Sequence, residues 1–96
     1  MTTVNVTVNT GTTQPGCIAE RIPITVPQGE IDAFINITLA PPLPRPPKVL
    51  CSIEQTTRFT GHIYNVSGGS CAVVVHRMDQ GDSVAQSFFV NVLLLR

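Results

Sequence analysis

The chain has 96 residues, of which 43% are apolar and only 12% are charged, and its six basic residues balance six acidic ones. This composition excludes a disordered protein, which combines low hydrophobicity with high net charge. It also argues against a nucleic-acid binder, because phosphate binding needs a basic excess or stripe and the basic residues here are scattered. A chain without net charge is prone to self-association, so either its surface tolerates this tendency or part of that surface lies against another subunit.

Alternating apolar and polar residues predict strands from the start of the chain. In "TTVNVTVN", the three valines Val4, Val6 and Val8 share one face. A second strand is predicted at 17–26, where Pro23 cannot donate a hydrogen bond to a neighbouring strand. This strand is therefore expected at a sheet edge or around a bulge.

Further strands follow at short intervals. The stretch 31–39 places β-branched and apolar residues on one face, which favours a strand over a helix. The remaining strands are predicted at 48–56, 61–66, 70–78 and 84–96. About seven short strands separated by turn signals predict an all-β fold, a small antiparallel sandwich or a jelly-roll-like barrel. Residues 1–96 are expected to form a single domain.

The last predicted strand is apolar on both faces. Phe88, Val90, Val92 and Leu94 lie on one face, and the other carries Phe89, Leu93 and Leu95 with Asn91 as the only interruption. A sandwich strand needs only one apolar face. The second face is therefore either covered by a loop, such as the proline-rich segment, or buried against another subunit. The predicted contact residues on this strand are Phe89, Leu93 and Leu95.

The segment "LAPPLPRPPKVL" at 39–50 holds five of the chain's eight prolines. It contains Pro-x-x-Pro twice, but Pro46 and Val49 stand where docking to an aromatic groove commonly needs a basic residue. A rigid crossover between two strands, or an arm used in assembly, is the favoured interpretation over a signalling ligand. The predicted contact residues here are Pro41, Pro42, Leu43, Pro44, Arg45, Pro46 and Pro47.

The reactive side chains do not form a recognisable catalytic or metal-binding motif. Cys17, Cys51 and Cys71 are predicted to be buried, reduced thiols, and Cys71 and His76 lie five residues apart and so on opposite faces of a strand. His62 and His76 could approach each other across a hairpin, which is a weak metal signal. The chain is expected to be neither an enzyme nor a carrier of a metal or cofactor.

The N-terminal residues lack the basic and apolar regions of a secretory signal, and the longest apolar run, "VLLL" at 92–95, is too short to span a bilayer. The chain is therefore expected to be assembled in the cytoplasm, without membrane contact.

The stretches "IDAFINITLAPPLPRPPKVLCSI" and "FFVNVLLLR" resemble the small β-sandwich modules of phage virion proteins. "PPKVLCSI" at 46–53 and "SFFVNVLLLR" at 87–96 also resemble the H-type lectin sandwich. Both resemblances imply a homotrimer. The expected function is that of a phage capsid decoration, or cement, protein in the virion, which would bridge capsid subunits. The alternative is a carbohydrate-binding sandwich, for example on a tail fibre.

Overall fold

The computed structural model describes residues 2–11, 17–56, 58–78 and 84–95, and these form seven strands. The strands are β1 (Thr2–Asn9), β2 (Cys17–Val26), β3 (Asp32–Ala40), β4 (Lys48–Glu54), β5 (Phe59–Tyr64), β6 (Ser70–Arg77) and β7 (Gln86–Leu95). A four-stranded sheet has the order β1–β3–β6–β5, and a three-stranded sheet has the order β2–β7–β4. The prediction of an all-β sandwich is confirmed. The described part of the chain contains no helix that could cross a lipid bilayer.

The strand pairs are antiparallel, with one departure from the predicted pattern: β1 runs parallel to β3. Within the described residues β2 pairs only with β7, which places Pro23 on an edge strand as predicted. Several strand bounds differ from the prediction by one or two residues, and backbone angles explain two of them. Strand β4 ends at Glu54 because Gln55 has a φ of 71°, and β5 ends at Tyr64 because Asn65 has a φ of 53°. A left-handed residue cannot continue an extended strand.

The core lies between the two sheets and is built from the inward-facing residue of each alternating pair. The rings of Phe59 in one sheet and Phe88 in the other lie 4.6 Å apart between their centroids, so they join the two layers directly. The other buried apolar residues are mostly β-branched or leucine, as strands favour. They include Ile22, Ile24, Val26, Ala33, Ile35, Ile37, Leu39, Val73, Val75, Val90, Val92 and Leu94.

A buried arginine, which the sequence pattern did not predict, ties the two sheets together. Arg77 at the end of β6 is only 1% exposed. Its guanidinium donates hydrogen bonds to the carbonyl oxygens of Glu30 at 2.8 Å, Pro27 at 3.1 Å and Val84 at 3.5 Å. Its Cζ also lies 5.0 Å from the centre of the Phe59 ring. The charge is tolerated in the core because several oxygens and an aromatic ring surround it.

The two lateral sides of the sandwich differ. On one side β5 lies against β4, and a Cβ added at Gly61 would stand 3.3 Å from the sulfur of Cys51, so the absence of a side chain permits this approach. On the other side β1 and β2 are neighbouring edge strands of different sheets. The sandwich is therefore closed along the first side and bounded by two edge strands along the second.

The proline-rich segment 41–47 carries the chain from β3 in one sheet to β4 in the other. The amide of Leu43 donates to the Gly68 carbonyl at 2.7 Å, and the Thr10 hydroxyl donates to the Pro41 carbonyl. Leu43 packs against the core and Pro47 is buried. The segment is therefore fixed at one end of the sandwich, against the turn between β5 and β6, and these contacts do not place it over the outer face of β7.

Candidate functional site: the outer face of the three-stranded sheet

The outer face of the three-stranded sheet carries a row of apolar side chains. Strand register puts Leu93 of β7 between Ala19 of β2 and Leu50 of β4, and the next row along β7 holds Leu95. Leu50 is 51% exposed, and Leu93 and Leu95 are half-buried. We call the surface formed by Ala19, Leu50, Leu93 and Leu95 the leucine face. It arises because β7, the central strand of this sheet, carries apolar residues at both its inward and its outward positions.

The other end of this outer face is closed by a polar network. The guanidinium carbon of Arg21 lies 3.7 Å from the centre of the Phe89 ring, and Arg21 Nη2 lies 3.0 Å from Glu54 Oε2. Asn91 Nδ2 donates a hydrogen bond to Glu54 Oε1. The hydrogen bond from Asn91, and after it the Arg21 guanidinium, hold the pKa of Glu54 below its ordinary value. One side of the Phe89 ring is thus covered within the chain itself.

A shallow groove of about 370 Å³ lies between these two ends. Ala19 and Arg21 of β2 form one wall, Leu50 and Ser52 of β4 form the other, and Leu93 contributes to the floor. The groove combines the apolar side chains of Leu50 and Leu93 with polar groups, among them the charged residues Glu20 and Arg21. Such a surface can bury an apolar side chain from a partner and orient it with a few polar contacts.

The predicted contact residues divide between exposed and inward-facing positions. Leu93 and Leu95 lie on the leucine face, and Phe89 lies beneath Arg21. In the proline-rich segment, Leu43 and Pro47 turn inward, and the exposed residues are Pro41, Pro42, Pro44, Arg45 and Pro46. Lys48, the first residue after the segment, is opposite Leu95 in the strand register. The segment and the leucine face are therefore adjoining surfaces, and their contact roles stay predictions.

The outer face of the four-stranded sheet is mostly polar, although Phe34, Ala72 and Val74 also point outward from it. We call it the polar face; its outward residues include Thr3, Asn5, Thr7, Asn36, Thr38, His62, Tyr64 and His76. His76 Nδ1 lies 2.7 Å from Asp32 Oδ1. Register places His62 opposite Val74 and His76 opposite Thr60, so the histidines are diagonal neighbours on one face. Among the described residues, no three His, Cys, Asp or Glu side chains are grouped to hold a metal ion.

The cysteines are free thiols with different surroundings. Cys71 is buried and Cys51 is half-buried against the core, and burial raises the pKa of both thiols. The expectation of three buried thiols is therefore confirmed only for Cys71, because Cys51 is half-buried and Cys17 is half-buried opposite Leu95 on the outer face. Cys71 and His76 lie on opposite faces of β6, as the spacing predicted.

Sequence reasoning missed the network of Arg21, Glu54 and Asn91. The three residues lie on three different strands, and only the register between β2, β7 and β4 brings them together. The position of Glu54 on the outward side of β4 was readable from the alternation. Its partners were not readable, because no local pattern specifies which strands are neighbours.

Neither a protein-family model nor a curated protein matches the chain. Among solved structures, the tailspike protein gp49 from Pseudomonas phage LKA1 is similar in fold, with a TM-score of 0.64 and 11% identity. The match covers 81% of this chain and 14% of the tailspike, so the chain spans about one seventh of that protein. PliG of Salmonella Typhimurium, a periplasmic inhibitor of g-type lysozyme, has a TM-score of 0.59 and 13% identity. That match covers 92% of this chain and 96% of PliG. At such identities the similarity is one of fold.

Proposed function

We propose that the chain is a non-enzymatic assembly protein of a phage virion, and specifically a capsid decoration protein that acts as a homotrimer. The observation that carries the proposal is the leucine face, an apolar surface on the outer side of a sheet whose inner side already forms the core. Contiguous apolar patches on the surface of a soluble protein commonly mark sites of protein association when they are large.

The mechanism would be burial of the leucine face between copies, with the exposed prolines directed to a capsid subunit. Burying apolar surface gains about 25 cal/mol for each Å², so Leu50, which is 51% exposed, would contribute about 2 kcal/mol once covered, and Leu93 and Leu95 would contribute less. The prolines have little conformational freedom to lose when a partner binds. A trimer presents three such segments together, so weak contacts to the shell would add up by avidity.

The fold comparisons support this proposal at the level of architecture. A segment of a phage tailspike has the same kind of sandwich, and that tailspike is a virion protein. PliG, of nearly the same size as this chain, is a sandwich whose described role is to inhibit another protein, a lysozyme. Fold similarity alone does not determine function, so the support from these two structures is limited to the architecture.

The decisive experiment is the solution mass of the purified chain, measured by light scattering for the wild type and for Leu93→Lys. We expect the wild-type mass to be a multiple of three chains. The mass of Leu93→Lys should no longer be a multiple of three chains, because a lysine ammonium cannot be buried in the contact. Thr38→Lys, on an exposed outward position of the polar face, is the matched control and should keep the wild-type mass.

The capsid role has its own test. Phage shells that lack the protein should gain heat stability when the wild-type chain is added, and should gain none from Leu93→Lys. Equal stabilisation by both proteins would show that the leucine face has no part in decoration. A wild-type monomer with no effect on shells would reject the assembly function altogether.

A second candidate, carbohydrate binding, is favoured by one observation on the polar face. The Phe34 ring is half-buried beside outward hydroxyl and amide groups, and Asn36 Nδ2 donates to Asn5 Oδ1 at 3.2 Å. Tyr64 lies opposite Ala72 on the same face. Aromatic rings beside uncharged hydrogen-bonding groups suit a sugar ring. A glycan array with wild type and Tyr64→Ala would support this candidate if binding were found and then lost on substitution.

A further inference from the structure

The four edge strands of the sandwich differ in how they are protected from pairing with another chain. Strand β2 carries Pro23 and Arg21, β4 carries a charged residue at each end, and β5 lies against β4. Strand β1 has eight residues without a proline or a charge. Natural sheets usually protect an edge with such devices, because an open edge pairs readily with another strand. Among the described residues, β1 is therefore the edge with the fewest features that oppose pairing with another strand.

The backbone of β1 has an open side. Its one strand partner among the described residues is β3, which leaves the N–H and C=O groups on its other side without a strand to pair with. Each such group can form a hydrogen bond with an added strand, as in β-augmentation. The edge is straight enough to keep register with β3 over all eight residue pairs.

The side chains of β1 identify the added strand. Residues 3–7 read Thr-Val-Asn-Val-Thr, which is the same in both directions. An antiparallel pair centred on Asn5 would place Thr3 opposite Thr7, Val4 opposite Val6 and Asn5 opposite its own copy. Residues directly opposite each other in an antiparallel pair lie on the same face of the sheet. In a pair with a second copy of β1, valine thus lies opposite valine on the inner face, and threonine and asparagine lie opposite their own kind on the outer face.

Burial along β1 shows that the core is incomplete at this edge. Val4 and Val6 face inward and pack against the core, yet both remain half-buried. Their register partners on β3, Ile35 and Ile37, are 0% and 1% exposed. The inward-facing side chains are thus fully covered on β3 and only partly covered at Val4 and Val6 of β1. A strand added beside β1 would cover the valines with two further valines.

The outward side chains of β1 can also form contacts with an added strand. Asn5 Oδ1 accepts a hydrogen bond from Asn36 at 3.2 Å, and none of the described residues accepts one from Asn5 Nδ2. At the centre of an antiparallel pair, the Nδ2 of each Asn5 can donate to the Oδ1 of the other copy, because a carbonyl oxygen accepts two hydrogen bonds. The row of amides would then run unbroken from one copy to the next.

We infer that two copies of the chain pair through β1, antiparallel about a two-fold axis at Asn5, so that their four-stranded sheets join into one sheet of eight strands. This contact uses neither the leucine face nor the proline-rich segment. It goes beyond the proposed function, and combined with a trimer it would link two trimers. A two-fold contact of this kind is closed, since each copy uses its β1 edge once.

The test uses Leu93→Lys as background, so that only the β1 contact remains. We expect this protein to be a dimer by light scattering. Adding Thr3→Lys and Thr7→Lys places lysine opposite lysine twice, and the dimer dissociation constant should rise at least tenfold. Adding Thr3→Lys and Thr7→Glu places opposite charges across the same two pairs, and the dimer should persist. Both threonines are exposed, so each monomer should keep its fold, which circular dichroism checks.

Three results would overturn the inference. Leu93→Lys could be a monomer at every concentration, the two double variants could dimerise equally well, or the paired lysines could leave the mass unchanged. A wild-type mass that stays a multiple of three chains in any of these cases would leave the leucine face intact as a contact. Failure of the β1 contact is thus distinguishable from failure of the proposed function.

Discussion

The two outer faces of the sandwich are built by the same alternation over the same core, yet they differ in chemistry. On the four-stranded sheet, outward positions of β3 carry Asn36 and Thr38. On the three-stranded sheet, outward positions of β7 carry Leu93 and Leu95. The comparison shows that alternation decides which way a side chain points, whereas the residue type at the outward position indicates whether water or a partner will meet it.

The two faces also differ in how their polar groups are used. On the polar face, Asp32 pairs with His76 and Asn5 with Asn36, and both pairs are exposed to water. On the other face the network around Glu54 is confined to one end and leaves the leucines bare. Exposed ion pairs stabilise a fold only weakly, typically by less than about 1 kcal/mol. The polar pairs on both faces therefore contribute little to the stability of the sandwich, and their main effect is on the polarity of each surface.

The largest effect should come from Arg77→Met. Because Arg77 lies in the core and joins the two sheets, this substitution should destabilise the whole sandwich and with it both outer faces. The substitution keeps an apolar stem of similar length but removes the guanidinium hydrogen bonds to the carbonyl oxygens of Glu30 and Pro27. We expect a loss of about 3 kcal/mol in the free energy of unfolding, measured by urea denaturation. Arg45→Met, at an exposed position, is the control and should cost less than about 0.5 kcal/mol.

A smaller loss is expected where the proline-rich segment meets the turn between β5 and β6. A Cβ added at Gly68 would overlap the carbonyl oxygen of Leu43, a backbone atom that cannot move without breaking the hydrogen bond between these two residues. Gly68→Ala should cost about 2 kcal/mol. At Gly69 an added Cβ would stand 4.0 Å from Pro42, an ordinary contact, so Gly69→Ala should be nearly neutral. Equal melting temperatures for the two variants would show that the segment is not fixed there.

The comparison of the faces is tested directly by placing the same charge on each. Leu50→Asp puts a carboxylate on the leucine face, and His62→Asp puts one on the polar face. We expect the first to weaken self-association at least tenfold, equivalent to about 1.4 kcal/mol, and the second to leave it unchanged, as measured by sedimentation at several concentrations. Equal effects would mean that the two faces do not differ in their use.

The smallest effect concerns the polar network around Glu54, at the other end of the outer face that carries the leucine face. Because the folded-state pKa of Glu54 lies below its ordinary value, its ionised form stabilises the fold above the unfolded pKa of about 4.3 and this contribution disappears as the pH falls through the folded pKa. Glu54→Gln cannot titrate. Between pH 7 and pH 3, the urea midpoint of the wild type should therefore fall more than that of Glu54→Gln. Identical falls would assign the acid sensitivity to other carboxyl groups.

Most of the architecture was predictable because strand periodicity is a local signal. The alternation around Val4 to Val8 and the strand at 17–26 with its edge proline appear in the structure as predicted. The end of β4 was not predictable, since Gln55 adopts a left-handed backbone angle that glutamine seldom takes, whereas β5 ends before Asn65, a residue type that adopts such angles more readily. The contact residues on β7 were predictable as outward-facing, but the cover that Arg21 provides for Phe89 was not.

The formation of strands, the residues that share a face and the edge position of Pro23 can all be read from the sequence, because they follow from side-chain spacing and from the missing amide hydrogen of proline. The neighbours of each strand become known only from the folded chain. Register sets Leu50 beside Leu93, joins Arg21 to Glu54 across β7, and encloses Arg77 among backbone oxygens. Those contacts join residues far apart in the chain, and their geometry depends on the packing of all seven strands at once.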